Sequence, residues 1–119
     1  YAQYAHARMC SIEEMAQKAG MQLADHYEDL GHPKEIELLK HINEFRNTVI
    51  DAAKLRAPHK IATYIQRLAA LFHSFYNECK VVDPANLTLS QERLALVEAS
   101  RITLANALNL IGVSAPRKM

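Results

Sequence analysis

The chain has 119 residues, half of them hydrophobic and 23% charged, which suits one globular domain with its own core and excludes a disordered or linker segment. Three glycines and four prolines are too few for the many turns of an all-β fold. A net charge of +1 argues against gripping nucleic acid by bulk electrostatics, yet residues 1–45 sum to −4 and residues 46–119 to +5, so a polyanion should prefer the later half.

The opening segment, Ala2 to about Gly20, lacks proline and is rich in Ala, Met and Glu, which predicts a helix. Gly20 marks its end or only a weak point, because MQLADHYEDL keeps a helical composition up to Gly31. Pro33 suits the first position of a new helix, where its missing N–H costs nothing. Ile36, Leu39, Ile42 and Phe45 then recur every third residue and predict one apolar stripe. Asn47 and Thr48 interrupt or cap, and Val49–Arg56 reads as a further short helix. Pro58 suits another first turn. From there Ile61, Ile65, Leu68, Phe72, Phe75 and Cys79 follow at intervals of four, three, four, three and four, the period of a helix with one buried seam and the strongest pattern in the chain.

VVDPANLTLSQ is the one clear loop, in which Asp83-Pro84 breaks the preceding helix and Thr88 and Gln91 have the spacing of a capping box. A last helix is expected from about Leu89 to Ile111, with Leu94, Val97, Leu104, Leu108 and Ile111 on its apolar stripe and Arg101 on the same face. Gly112 ends it and Pro116 prevents a restart. No run alternates with period two long enough for a strand. The expected fold is all-α, a helical bundle of four to six helices.

Gly20, Gly31 and Gly112 stand alone, so no phosphate-cradling loop or nucleophile elbow is present. The six histidines never fall four apart and no Glu-x-x-His occurs, so neither a catalytic nor a metal site is expected. Glu37 and His41 read as a solvated helical pair, and His73, beside Phe72, as a half-buried histidine with a hydrogen-bond partner. Cys10 and Cys79 lie in no C-x-x-C and fit a reducing, cytoplasmic setting. No apolar run reaches the roughly 18 residues of a membrane span, and no leader pattern opens the chain. The start at Tyr1 rather than Met leads to the expectation of a fragment cut from something larger on its N-terminal side.

YAQYAHAR carries the most specific chemistry. Tyr1, Tyr4 and Arg8 are three and then four residues apart, which aligns them on one helical stripe with mostly alanine between. Flat rings and a guanidinium plane are what unstacked bases stack on, and the guanidinium can also pair with phosphate or a base edge. The spacing alone favours a second and commoner arrangement, in which the tyrosines pack on a neighbouring domain and Arg8 pairs with an acid.

YAQYAHARMCSI resembles the segment that opens the anticodon-binding domain of arginyl-tRNA synthetases. PHKIATYIQRLAALFHSFYNECKVV and ERLALVEASRITLANALNLIGVSAPRKM resemble two further elements of that family, in the same order and with matching gaps. The likeness covers nearly the whole chain, weakest between about 14 and 45. The domain takes its DALR name from a pattern in the last helix, which here reads Glu98-Ala99-Ser100-Arg101, so only Ala99 and Arg101 match it literally. The resemblance implies that residues 1–119 form the C-terminal anticodon-binding domain of a larger class I synthetase. The parent uses ATP to join arginine to tRNA-Arg; this fragment lacks the HIGH-like and KMSK-like elements and is expected to need no cofactor and catalyse nothing.

By the same resemblance the partners are the anticodon loop of tRNA-Arg and the rest of the synthetase, with no DNA and no membrane. By position, Tyr1, Tyr4 and Arg8 match the opening helix, Met119 the terminal methionine, and Tyr76 lies in a helix that the family uses near the anticodon. Lys80, Arg117 and Lys118 are candidates to neutralise phosphates, whereas Arg101 on its apolar stripe is expected to make a structural pair. The alternatives are a helical protein-interaction or homodimerisation module without RNA binding, and the anticodon domain of another class I synthetase, against which the Gly-Val…Pro-x-x-Met ending argues.

Overall fold

The computed structural model of the chain describes residues 2–24, 30–83 and 85–118. These form five helices and no strand: α1 (Ala2–Lys18), α2 (Pro33–Asn43), α3 (Phe45–Lys54), α4 (His59–Glu78) and α5 (Leu87–Leu110). Helix α4 is the centre, and every other helix packs on it. All six residues of its predicted seam are buried, and so are Tyr64, Ala69 and Leu71. A helix covered on several sides needs apolar residues beyond one stripe. α1 and α5 lie most extensively against each other, while α2 and α3 cover another side of α4.

Backbone closures set the helix ends. Gly20 (φ 75°) and Gly112 (φ 74°) take the left-handed conformation just after α1 and α5. This lets the N–H of Met21 reach the carbonyl of Ala16 at 3.0 Å and that of Val113 reach Leu108 at 2.9 Å. The closure at Gly20 ends the helix despite the helical composition that follows. Residues 21–24 are not helical, Ala24 donates instead to the Gln91 carbonyl at 3.2 Å, and the rest of the predicted extension, residues 25–29, lies outside the described residues.

Three further sequence expectations shift. The break between α2 and α3 falls at Glu44, not at Asn47–Thr48; Thr48 sits inside α3 with its hydroxyl donating to the Glu44 carbonyl at 3.1 Å, which a helix interior tolerates. The N-cap of α5 is Asn86, whose side chain accepts from the N–H of Leu89 at 3.3 Å, so no capping box runs from Thr88. Ile111 is 37% exposed, because it follows the last turn of α5 and does not continue its stripe.

The buried face of α2 is centred on Glu35 and Leu38, while Leu39, Ile42 and Phe45 are only partly buried. Glu35, 1% exposed, explains this turn of the helix. Its Oε1 accepts from the backbone N–H groups of Gly31 (3.2 Å) and His32 (2.8 Å), and its Oε2 takes Arg93 Nε at 2.7 Å. His32 Nδ1 returns the favour by accepting from the N–H of Lys34 at 3.1 Å, a capping box built on histidine. Arg93 also donates to the Lys80 carbonyl at 2.8 Å, so one carboxylate ties α2, α5 and the end of α4 together.

His41 does not form the predicted pair with Glu37, which lies 3.9 Å from Lys34 instead. Its ring stacks on Tyr64 at 4.0 Å and 14°, its Nε2–H donates to the Tyr64 carbonyl at 3.1 Å, and the Tyr64 hydroxyl donates back to the His41 carbonyl. Burial pushes the Tyr64 phenol up and holds His41 below the ordinary histidine value.

Glu35→Ala leaves the Arg93 guanidinium without its partner, and chemical denaturation should register a loss of about 3–5 kcal/mol. His41 and His73 both have folded-state values below 6.5, chiefly through burial. The unfolded chain therefore binds more protons just below that pH. Their contribution is complete above about pH 6.5 and is lost as pH falls through the folded values. Thermal melts between pH 8 and pH 5 should show this decline, and His41→Phe, which keeps a ring against Tyr64, should flatten it.

Candidate nucleic-acid interface

Tyr4 and Arg8 lie one turn apart on α1, and Tyr4 is 49% exposed, large for a ring in so short a chain. The Arg8 guanidinium carbon stands 4.8 Å from the centroid of the Tyr76 ring. Tyr76 occupies the last turn of α4, where the helix emerges from the core, and its ring runs nearly parallel to that of fully buried Phe72 (6.2 Å, 12°). A cation over an aromatic face is held without a carboxylate. Among the described residues no carboxylate lies within ion-pair distance of Arg8. Burial, and secondarily the charge on Arg8, hold His73 below its ordinary value.

Next to Tyr76 a cavity of about 470 Å³ opens, lined among others by Ile12, Met15, Asn77 and Lys80. Its floor is fixed from below. Arg93 holds the Lys80 carbonyl, and buried Ser90 accepts from the N–H of Asp83 at 2.8 Å and donates to the Asp83 carbonyl at 3.0 Å.

The segment after α5 turns back along α1. Gln3 Nε2 donates to the carbonyl and the hydroxyl of Ser114, each at 3.1 Å, and His6 Nδ1 donates to the carbonyl of Pro116 at 2.7 Å. Tyr1 and Met119 lie outside the described residues. For the residues between them, the start of α1 and the tail are neighbours.

Among the described residues, two of the ten bases in 46–119 are seen to pair with a carboxylate within the fold. Arg93 serves Glu35, and Arg101 makes the structural pair expected of it, with Nε 2.8 Å from Glu13 Oε2. Lys80, Arg117 and Lys118 are exposed. No cluster of three or more His, Cys, Asp or Glu suited to a metal ion occurs among the described residues, and no described helix is long and apolar enough to cross a membrane. Both thiols are buried, which pushes them up from their ordinary value.

Sequence reasoning passed over Gln3, His6, Ile12, Met15 and Asn77. Ile12 and Met15 carry a detectable signal, since they extend the Tyr4–Arg8 stripe by four and three residues. Gln3 and His6 carry none, because their partners lie 111 and 110 residues away in the chain.

Residues 2–119 match the family of the DALR anticodon binding domain. The chain belongs to that family. All of the chain is similar to arginine–tRNA ligases of Bacillus licheniformis (50% identity over 121 residues) and Bacillus subtilis (51% over 122 residues), and it spans 22% of the length of each. The arginyl-tRNA synthetase of Thermus thermophilus has the same fold over the whole chain, with 34% identity and a TM-score of 0.82, across 21% of its own length. Nothing in these matches supports a separate protein-interaction module. Ser100 is fully buried, its hydroxyl donates to the Leu96 carbonyl at 2.8 Å, and Arg101 beside it reaches Glu13.

If the Tyr76 ring holds the guanidinium, Arg8→Met and Tyr76→Leu are coupled. A double-mutant cycle read by denaturant unfolding should give about 0.5–1 kcal/mol.

Proposed function

We propose that this chain is the C-terminal anticodon-binding domain of a cytoplasmic arginine–tRNA ligase. It binds the anticodon stem and loop of tRNA-Arg, while the remainder of the ligase uses ATP to attach arginine. The observation that carries this reading is the exposed Tyr4 ring beside an Arg8 guanidinium braced on Tyr76, with the tail laid along the same helix.

One face of Tyr76 is occupied by Arg8, so Tyr76 acts by holding the guanidinium plane level. The stacking surfaces offered to splayed bases are then the Tyr4 ring and the outer face of the Arg8 guanidinium, which can also grip a phosphate or a base edge. Tyr1 and Met119, which lie outside the described residues, are proposed as further RNA contacts from the sequence resemblance alone. Lys80, at the mouth of the cavity beside Tyr76, and Arg117 and Lys118 on the tail neutralise phosphates. Each contributes about one unit to the dependence of log affinity on log salt. The bundle beneath supplies rigidity: α4 carries Tyr76 and α1 carries Tyr4 and Arg8, both seated on the common core.

Tyr4→Ala in the full-length ligase should raise KM for tRNA-Arg roughly 5- to 150-fold, the equivalent of about 1–3 kcal/mol for one stacked base. The KM values for ATP and arginine should not change. An unaltered KM for tRNA would remove Tyr4 from the interface.

A further inference from the structure

The tail after α5 has no helical hydrogen bonds of its own past the closure at Val113, yet its course is defined by side chains of α1. Val113 and Ala115 pack on the core. Gln3 fixes Ser114 through two acceptors, and His6 fixes Pro116 through one. The His6 ring is only 4% exposed, and a carbonyl can only accept, so Nδ1 carries the proton of this bond. Cys10, one turn further along α1, lies 3.8 Å from the same nitrogen and feels the charge of Arg117. The tail therefore runs alongside α1 as a strap, from Ser114 at Gln3 to Pro116 at His6. A buried polar ring turned toward a chain segment with no regular structure needs a reason, because burying it costs free energy unless its hydrogen bond is made.

We propose that His6 and Gln3 are positioning residues for RNA recognition: by holding the Pro116 and Ser114 carbonyls they lay the strap beside the Tyr4–Arg8 stripe and deliver Arg117 and Lys118 to the anticodon loop without touching RNA themselves. The proposal rests on the reading of this face as the tRNA interface. Released from His6, the strap samples many directions. The free energy of ordering it is then drawn from tRNA binding, and affinity falls while the chemistry of the ligase is unaffected.

The test uses the full-length ligase carrying this domain, with steady-state aminoacylation of tRNA-Arg. His6→Phe keeps the ring volume and loses the donor, Gln3→Ala removes a half-buried side chain with little risk to folding, and His6→Asn restores an N–H close to the place of Nδ1. His6→Phe and Gln3→Ala should each raise KM for tRNA about three- to tenfold, leaving kcat and the KM values for ATP and arginine unchanged. His6→Asn should recover most of the loss. In an enzyme ending at Pro116, where nothing is left to deliver, His6→Phe should have no further effect on KM for tRNA. The same factor in the truncated and intact enzymes would overturn the proposal, since a ring that merely stabilises α1 acts with or without residues 117–119. Unchanged KM in both His6→Phe and Gln3→Ala while Tyr4→Ala still weakens tRNA use would overturn the strap alone. No effect from any of the three would overturn the interface as well.

Discussion

Four helices share one partner, and that constraint shapes the domain. Because α1, α2, α3 and α5 all pack on α4, its interior positions are apolar on more than one side, from Ile61 through Phe75. Any polar group there must be satisfied within the fold, which is how Tyr64 is used: its hydroxyl and its carbonyl both bond to His41 while its ring lies flat on the imidazole. Besides the exposed strip at Thr63, Gln66, Arg67 and Ala70, α4 emerges from this cover in its last turn, and there it presents Tyr76. The best-packed element of the domain therefore ends in the residue that braces Arg8, and rigidity is transmitted to the surface through two neighbouring rings, Phe72 and Tyr76.

The connections before α2 and after α4 are held by charge as well as by the buried side chains of Leu30 and Val81. Glu35 gathers two backbone N–H groups and a guanidinium in a site almost closed to water, and Arg93 passes the link on to the Lys80 carbonyl. A buried ion pair of this kind adds little net stability compared with apolar residues of the same shape, but it is unforgiving of altered geometry. In this domain it sets where α2 begins and where the segment after α4 lies. That segment walls the cavity beside Tyr76.

The candidate interface combines one well-fixed cation with one exposed ring, and it does so without a strongly basic surface. Arg93 and Arg101 are spent on Glu35 and Glu13, so the charge excess of the later half of the sequence overstates what is offered to a polyanion. Stacking tolerates a modest net charge, because every base has a face to stack and each such contact is worth about 1–3 kcal/mol. The described part of the tail lies against α1, bonded to Gln3 and His6.

The sequence by itself determined the all-α class, the buried seam of α4, the end of α5 at a glycine, the Tyr4–Arg8 stripe and the family, while it left open whether α1 stops at Gly20. Each of these is written in spacings of three and four residues or in local backbone chemistry, where one or two positions suffice. It misplaced what depends on partners far along the chain. The Ile36–Leu39–Ile42–Phe45 stripe was displaced by the buried bond between Glu35 and Arg93, 58 residues apart. The Glu37–His41 pair was dissolved by Tyr64, and the cap of α5 moved to Asn86 when Ser90 was drawn to Asp83. Tyr76 was legible as a residue but not as the brace of Arg8, and His6 had no meaning until Pro116 lay against it. Only the tertiary structure decided these, because a histidine or a glutamate is read by the donor or acceptor that meets it, and that partner is chosen by folding rather than by its neighbours in sequence.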